Sequence, residues 1–363
     1  MPSTRRLLAL LAGLLPIAAA QAITHPRQAI YATNEADGTL SVIDARTLQV
    51  VDTIPLGKRP RGLQLSPDQR LLFVALSGSP VAGPGVDESK LPPPDHAADG
   101  IGVVDLARGK VVRTLRGVSD PEQLALSRDG AHLYVASEDS GKLAVFDVDS
   151  GHIVRTLAVG GEPEGVGTSP DQRWVCATSE TAGTVALIRA LTNTVVHTVK
   201  VGGRPRNCRF AADSRRLYVP SETDATLSVV TVPDGKVERV IKLPGAGTRP
   251  MGLVLSPDGG TAFVTTGHGG SVLAVDLAQG RVRAAARVGE RPWGLALSAD
   301  GKRLFTADGP SDTVSVVEVD GMRTRTAVKV GGKPWGVATG PLVLDPRQAH
   351  GGSHGTAAEP ATR

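Results

Sequence analysis

From residue 28 onward the chain alternates apolar and polar positions in short runs that recur in a fixed order. Each line opens at a Gly-x-Pro or x-x-Pro joint and continues as an apolar run, as in RPRGLQL, DPEQLAL and RPWGLAL. A turn such as SPDQ, SRDG or SADG follows, then a second run such as LFVA, LYVA or LYVP. A polar loop leads to a third run (IGVVDL, LAVFDV, LSVVTV), and a fourth such as VVRTLRG or VERVIKL closes the line. Runs of four to seven residues with period two, rich in Val and Leu, predict strands. The opening prolines are Pro60, Pro121, Pro163, Pro205, Pro250, Pro292 and Pro334, and most neighbours among them stand 42 residues apart. Four strands in such a period are the signature of a β-propeller blade.

The two ends complete the count. Residues 28–57 contain a second, third and fourth run but no first, and KPWGVATGP near the C-terminus is a first run alone. Joined, they make a seventh blade and close the ring, which removes exposed sheet edges. The expectation is therefore an all-β chain: a seven-bladed β-propeller of four-stranded antiparallel blades over residues 23–346, closed by a split blade. The tail, 347–363, is small and polar and is expected to lie outside the fold.

Composition adds a destination. Residues 1–22, MPSTRRLLALLAGLLPIAAAQA, carry Arg5 and Arg6, an apolar run and a small-x-small end, the grammar of a cleaved secretory signal. The apolar run is shorter than the roughly 20 residues that span a bilayer. The expected product begins at Ile23, has no membrane span and resides in a periplasm. Either the general secretory or the twin-arginine route fits. The formal charge of +4 owes two units to the leader, so the mature chain is close to neutral and shows no concentrated basic stripe. Only two cysteines occur, Cys176 and Cys208; they fall in neighbouring blades, where a disulfide or plain core packing are both open.

The repeated lines RPRGLQLSPDQRLLFVA, HLYVASEDSGKLAVFDVDSGHIVRTLAVGGEPEGV and RPWGLALSADGKRLFTADG resemble the YVTN family of bacterial β-propellers. DPEQLAL, EPEGVGTSPD, TSET and RPRNCRFAADSRRLYVPSE are similar to the subgroup associated with pyrroloquinoline-quinone-dependent alcohol oxidation. The resemblance covers residues 28–340. It implies the propeller fold and an accessory role in that chemistry, and it brings no catalytic residues with it.

Function is expected where the repeats differ. The joint before each first strand and the loop between strands two and three share one face of a propeller, at the mouth of the central channel, and loops held by a scaffold carry function. At the joints blade one has Arg59 and Arg61, blade four Arg204 and Arg206, and blades two and three Asp120, Glu122, Glu162 and Glu164. The last lines carry Trp293 and Trp335 instead. At the end of strand two a carboxylate recurs as Glu35, Glu138, Glu180 and Glu222, with His268 near that point in blade five and Asp308 in blade six. The mouth is thus expected to hold an acidic arc flanked by arginines, with two indoles opposite. Such a pocket suits a small anionic or hydroxylated ligand, or a divalent cation such as Ca²⁺ on Glu35, Glu138, Glu180 and Glu222. Pairing of the same charges across blades, as a lock on the ring, is the structural alternative. The long insert 77–100 hangs in the strand-two-to-three loop of blade one, as a lid, a docking element or a tolerated insertion, and holds His96 between Asp95 and Asp99.

Missing motifs narrow the function. There is no C-x-x-C-H, no Gly-rich phosphate loop and no Ser-His-Asp signature. The first reading is a monomeric, non-catalytic binding protein of the periplasm, with a protein or small anionic ligand as partner. A metal-assisted, lactonase-like hydrolase is the alternative. Further readings are a non-covalent haem propeller with His268 as axial ligand, and a nucleic-acid platform on Arg59, Arg61, Arg204 and Arg206 with base stacking on the indoles.

Overall fold

The computed structural model describes residues 27–81 and 90–343. The leader, the tail from 347 and part of the insert lie outside the described residues. Seven four-stranded antiparallel sheets form the ring, and in six of them the strands lie in chain order from the inside out. Blade one runs from Pro60–Leu65 to Lys110–Leu115, and blades two, three, four, five and six open at Pro121, Pro163, Arg209, Leu253 and Pro292. Blade seven is the split one. Its inner strand, Pro334–Pro341, pairs with Gln28–Asn34, which pairs with Thr39–Asp44 and so on to Gln49–Pro55. No helix among the described residues is long and apolar enough to cross a membrane.

Alternation decides where each residue goes. Second and third strands are buried on both faces, so Tyr31, Phe73, Phe146, Phe263 and Phe305 pack between neighbouring sheets. Outer strands bury one position each, near their ends, and show valines such as Val154 and Val240 to solvent. Inner strands approach one another so closely that side chains are excluded at one position. A Cβ on Gly62 would stand 2.6 Å from the Glu122 carbonyl oxygen of blade two, and one on Gly336 would stand 2.6 Å from that of Arg61 in blade one. Thr33 ties blades seven and one, accepting from the Gly336 amide and donating to the Arg61 carbonyl. Cys176, in the second strand of blade three, forms a disulfide with Cys208, just before the short inner strand of blade four. The bridge lies inside the apolar cluster of Val185, Leu187 and Val219, joining two blades whose sequence separation is 32.

The joints have one geometry that bears directly on the mouth. The residue before the proline takes a left-handed backbone at Arg59, Asp120, Glu162, Arg204, Arg291 and Lys333, with φ between 39° and 51°. A residue with a side chain adopts this conformation at a cost, and a following proline restricts it further. In exchange its carbonyl accepts the amide that follows strand two: Glu138 to Asp120, Glu180 to Glu162, Glu222 to Arg204 and Glu35 to Lys333, at 3.0–3.1 Å. Joint residue and strand-two end are thereby locked together, blade after blade, on one rim.

Candidate functional site

That rim encloses a funnel of about 940 Å³, and all six left-handed joint residues line it. Glu35, Arg61, Glu122, Glu138, Glu164, Arg206, Trp293 and Trp335 line it too, so joint and strand-two positions converge as expected. Glu180 and Glu222 stand just behind, reached through arginines.

The arginines sit inside the acidic arc, not beside it. Arg61, 4% exposed, touches Glu122 and lies 3.1 Å from Asp120 and 3.6 Å from both Glu35 and Glu138. Arg59 reaches Glu35 at 2.9 Å and donates to the Ser79 and Pro80 carbonyls of the insert. On the other side Arg206 bonds Glu180, Glu222 at 2.6 Å and Glu164 at 3.3 Å, while Arg204 reaches Glu180 at 2.5 Å and Glu222 at 3.4 Å. Blades one and four therefore each supply an Arg-Pro-Arg unit: the first gathers carboxylates from blades seven and two, the second from blade three and its own. The pairing is dense because burial of an ionised group without a counter-charge costs several kcal/mol or more.

The electrostatics follow from that pairing. Burial pushes the Glu222 carboxyl up, but Arg206 and Arg204 outweigh it and hold the group below its ordinary range. Asp120 behaves likewise: burial raises it, and Arg61, Ser77 and Arg59 bring it down further. Glu138 goes the other way. Burial and then the neighbouring Glu164 push it up to about 8, against the pull of Arg61 and Arg206. Its single cationic contact among the described residues is the 3.6 Å one to Arg61. Glu164, 3% exposed, is raised by burial in spite of Arg206, and its Oε1 has no hydrogen-bond partner.

A divalent cation fits this arrangement poorly. The four glutamates expected to share an ion are divided: Glu35 belongs to Arg59 and Arg61, Glu180 and Glu222 to Arg204 and Arg206, and Glu138 stands apart. Asp120, Glu122 and Glu138 do converge closely enough to ligate a cation. The Arg61 guanidinium reaches all three of them, so a positive charge supplied by the chain already stands there.

The far wall is aromatic. Trp293 and Trp335 stack at 5.2 Å between ring centroids, 24° from parallel. The guanidinia of Arg206 and Arg291 lie over Trp293 at 5.1 and 5.5 Å, within cation–π range. Here blades five and six have glycine, Gly267 and Gly309, where the other blades have glutamate or serine after strand two. Asp308 is consequently one position earlier than its expected role requires. It is fully buried, pairs with Pro292 across the sheet, and accepts from Thr306, Thr313 and Ser315. Asn34 holds the same register against Thr39 and Ser41, so Asp308 is a structural counterpart of an asparagine.

Two other expected residues lie elsewhere. His268 is exposed and lines a separate groove of about 570 Å³ between blades five and six, not the funnel. An axial haem ligand over the channel would have to come from another residue. His96 bonds Asp99 at 2.9 Å and stands 4.0 Å from Asp139, anchoring the insert to blade two. Asp99 accepts the Gly78 amide, and Leu91 to Pro94 reach the funnel wall. Arg59, Arg61, Arg204 and Arg206 are all committed to carboxylates, which removes most of the charge that a nucleic-acid platform would use. A funnel residue not expected from the sequence is Arg291; its signal lies in the joint register, directly before Pro292, where blades one and four also carry arginine.

Comparison with known proteins agrees with the architecture. The model of the seven-bladed β-propeller lactonases matches residues 166–331, and that of the YNCE-like β-propellers matches residues 87–171. The chain is a seven-bladed β-propeller. Among solved structures it is similar to a Bacteroides uniformis protein assigned as a 6-phosphogluconolactonase, with TM-score 0.70 and 15% identity over 87% of this chain and 100% of that one. Hydrazine synthase of Kuenenia stuttgartiensis gives TM-score 0.65 and 19% identity over 77% and 89% of the two chains. The dihydro-haem d1 dehydrogenase NirN gives 0.62 and 16% over 91% and 78%. At these identities the likeness is one of fold. No curated protein matches the chain in sequence.

Proposed function

We propose that the funnel binds a hydroxylated cyclic ester and hydrolyses it. The observation that carries this reading is Glu138. Of the seven buried or half-buried carboxylates in the arc, it alone has no arginine within 3.3 Å, and it shares a funnel with a stacked indole wall. The indole faces suit the non-polar face of a small ring. The orphaned Oε1 of Glu164 accepts a ligand hydroxyl. Arg204, half-exposed at the rim and shared between Glu180 and Glu222, would turn its remaining donors to the negative charge growing on the acyl oxygen. Glu138 takes a proton from water as the water oxygen bonds the acyl carbon. The ring C–O bond breaks, the proton passes to the leaving oxygen, and a hydroxy acid results. The lactonase family match over part of the chain supports the reading.

The test is proton release from aldonolactones in a pH-stat. Wild type should turn over with kcat/KM rising through about pH 8 as Glu138 ionises, and Glu138→Gln should lose about 10²- to 10⁴-fold. Absence of turnover above the uncatalysed rate, with all lactones tried, overturns hydrolysis. A second reading, non-catalytic service to quinone-linked alcohol oxidation by an exported monomer, is supported by the resemblance of the repeat lines and by the leader. It predicts a mature form starting at Ile23 and ligand binding without turnover.

A further inference from the structure

Among the described residues Arg291 is the half-buried guanidinium of the funnel that holds no carboxylate; Lys333, the other cation of the lining without an ion pair, is exposed to solvent. Arg59, Arg61, Arg204 and Arg206 each hold one or more carboxylates. Arg291 has no ion-pair or hydrogen-bond partner for its guanidinium among the described residues, its Nε is buried without a partner, and its contact is the face of Trp293. The reason is local. In its own blade and in blade five the strand-two position that elsewhere supplies glutamate is Gly309 or Gly267, so no carboxylate arrives to meet it. Burial, and then the repulsion of Arg206, press its pKa down. A half-buried guanidinium held on a left-handed backbone, with φ 46°, and left without a counter-ion is an arrangement that an incoming anion would relieve.

Arg291 also occupies a junction. It and Pro310 line both the funnel and the 570 Å³ groove, whose remaining wall includes Arg287, His268 and one carboxylate, the exposed Glu290. The Arg287 guanidinium is engaged by the Gly269 carbonyl through one nitrogen, so its other donors remain for a ligand. Funnel and groove therefore meet at a cation, with further positive charge beyond it.

We propose that Arg291 receives an anionic group of the ligand, a carboxylate or a phosphate monoester, which seats where funnel and groove meet, with Arg287 and His268 beyond. The substrate class is narrowed from cyclic esters in general to anionic ones. A guanidinium presents paired donors to either oxyanion, so one geometry serves both chemistries. This inference rests on the funnel being the ligand site, but not on hydrolysis taking place there.

The experiment is calorimetric titration of wild type, Arg291→Met and Arg291→Lys with gluconate, 6-phosphogluconate, inorganic phosphate and neutral gluconolactone. Thermal melts verify that each variant folds. Wild type should bind the anionic probes at least about tenfold more tightly than the neutral lactone. Arg291→Met should lose about 10- to 100-fold for the anions and little for the neutral probe, and Arg291→Lys should recover part of the loss. Tighter binding of gluconate names a carboxylate ligand, and tighter binding of 6-phosphogluconate names a phosphate; either supports the proposal. Equal affinity for charged and neutral probes, or anion binding unchanged in a folded Arg291→Met protein, overturns it. Anion binding through Arg291 without lactone turnover leaves this inference standing and removes the hydrolase reading. Turnover of neutral lactone untouched by Arg291→Met does the reverse.

Discussion

Blades one to four and blades five and six are built on the same four-stranded sheet and furnish the mouth in opposite ways. In the first group, with Glu35 from blade seven, arginine and carboxylate alternate so closely that Arg61 and Arg206 each serve three or more acidic partners. In the second, glycine stands at the end of strand two, the joints carry Met251 and Trp293, and the Arg291 guanidinium beside Trp293 is unpaired among the described residues. The difference teaches that one repeat can be specialised without altering its strands. Charge pairing makes one side of the rim a staple around Glu138, and the other side keeps a half-buried guanidinium without a carboxylate. The disulfide between blades three and four lies on the stapled side as well.

The comparison breaks most visibly if the staple is cut. Arg206→Met strands Glu164, Glu180 and Glu222 in a buried setting and should cost about 3–5 kcal/mol in denaturant unfolding. Arg291→Met on the open side should change stability little. Equal losses at the two positions would mean that the halves are not different in kind. Next in size is the covalent link: Cys176→Ala with Cys208→Ala should cost about 2–4 kcal/mol, since the bridge closes a loop of 32 residues in the unfolded chain. Reducing agent should lower the wild-type melting temperature and leave the double variant unchanged.

A subtler contrast is set by pH. The Glu138 carboxyl is raised from 4.5 to about 8, so between those values the folded state binds a proton that the unfolded state has released. Stability should therefore decline as pH rises through that window. Glu138→Gln should flatten the decline and be at least as stable as wild type near pH 8. Glu222, held below its ordinary range, gives the opposite slope: its contribution is present above the unfolded value and lost as pH falls below it. A Glu138→Gln protein that melts lower at pH 8 would assign Glu138 to the staple. Smallest in stability is the indole wall, where Trp293→Leu should forfeit about 0.5–1.5 kcal/mol of stacking while weakening ligand binding.

The strand pattern, the period and the split blade were all legible in the chain, because alternation and turn chemistry are local and each repeat restates them. The gathering of joint and strand-two residues on one rim was legible too, since blade topology sets which loops share a face. What each charge does there was not. Glu35, Glu138, Glu180 and Glu222 are equivalent in register, yet three meet a guanidinium at 2.9 Å or closer and Glu138 meets one only at 3.6 Å. That outcome depends on distances of a few ångströms between side chains 16 to 77 residues apart in sequence, and on how far burial weakens screening by water. Asp308 shows the same limit: a shift of one position turned an apparent rim carboxylate into a buried hydrogen-bond acceptor. Arg291 shows it from the other direction, because what distinguishes it is a partner that no neighbouring blade supplies. Sequence by itself determined the scaffold, through short-range periodicity repeated seven times. Only the tertiary structure decided which charges are spent on the scaffold and which are left for chemistry, since pairing is a property of the closed ring.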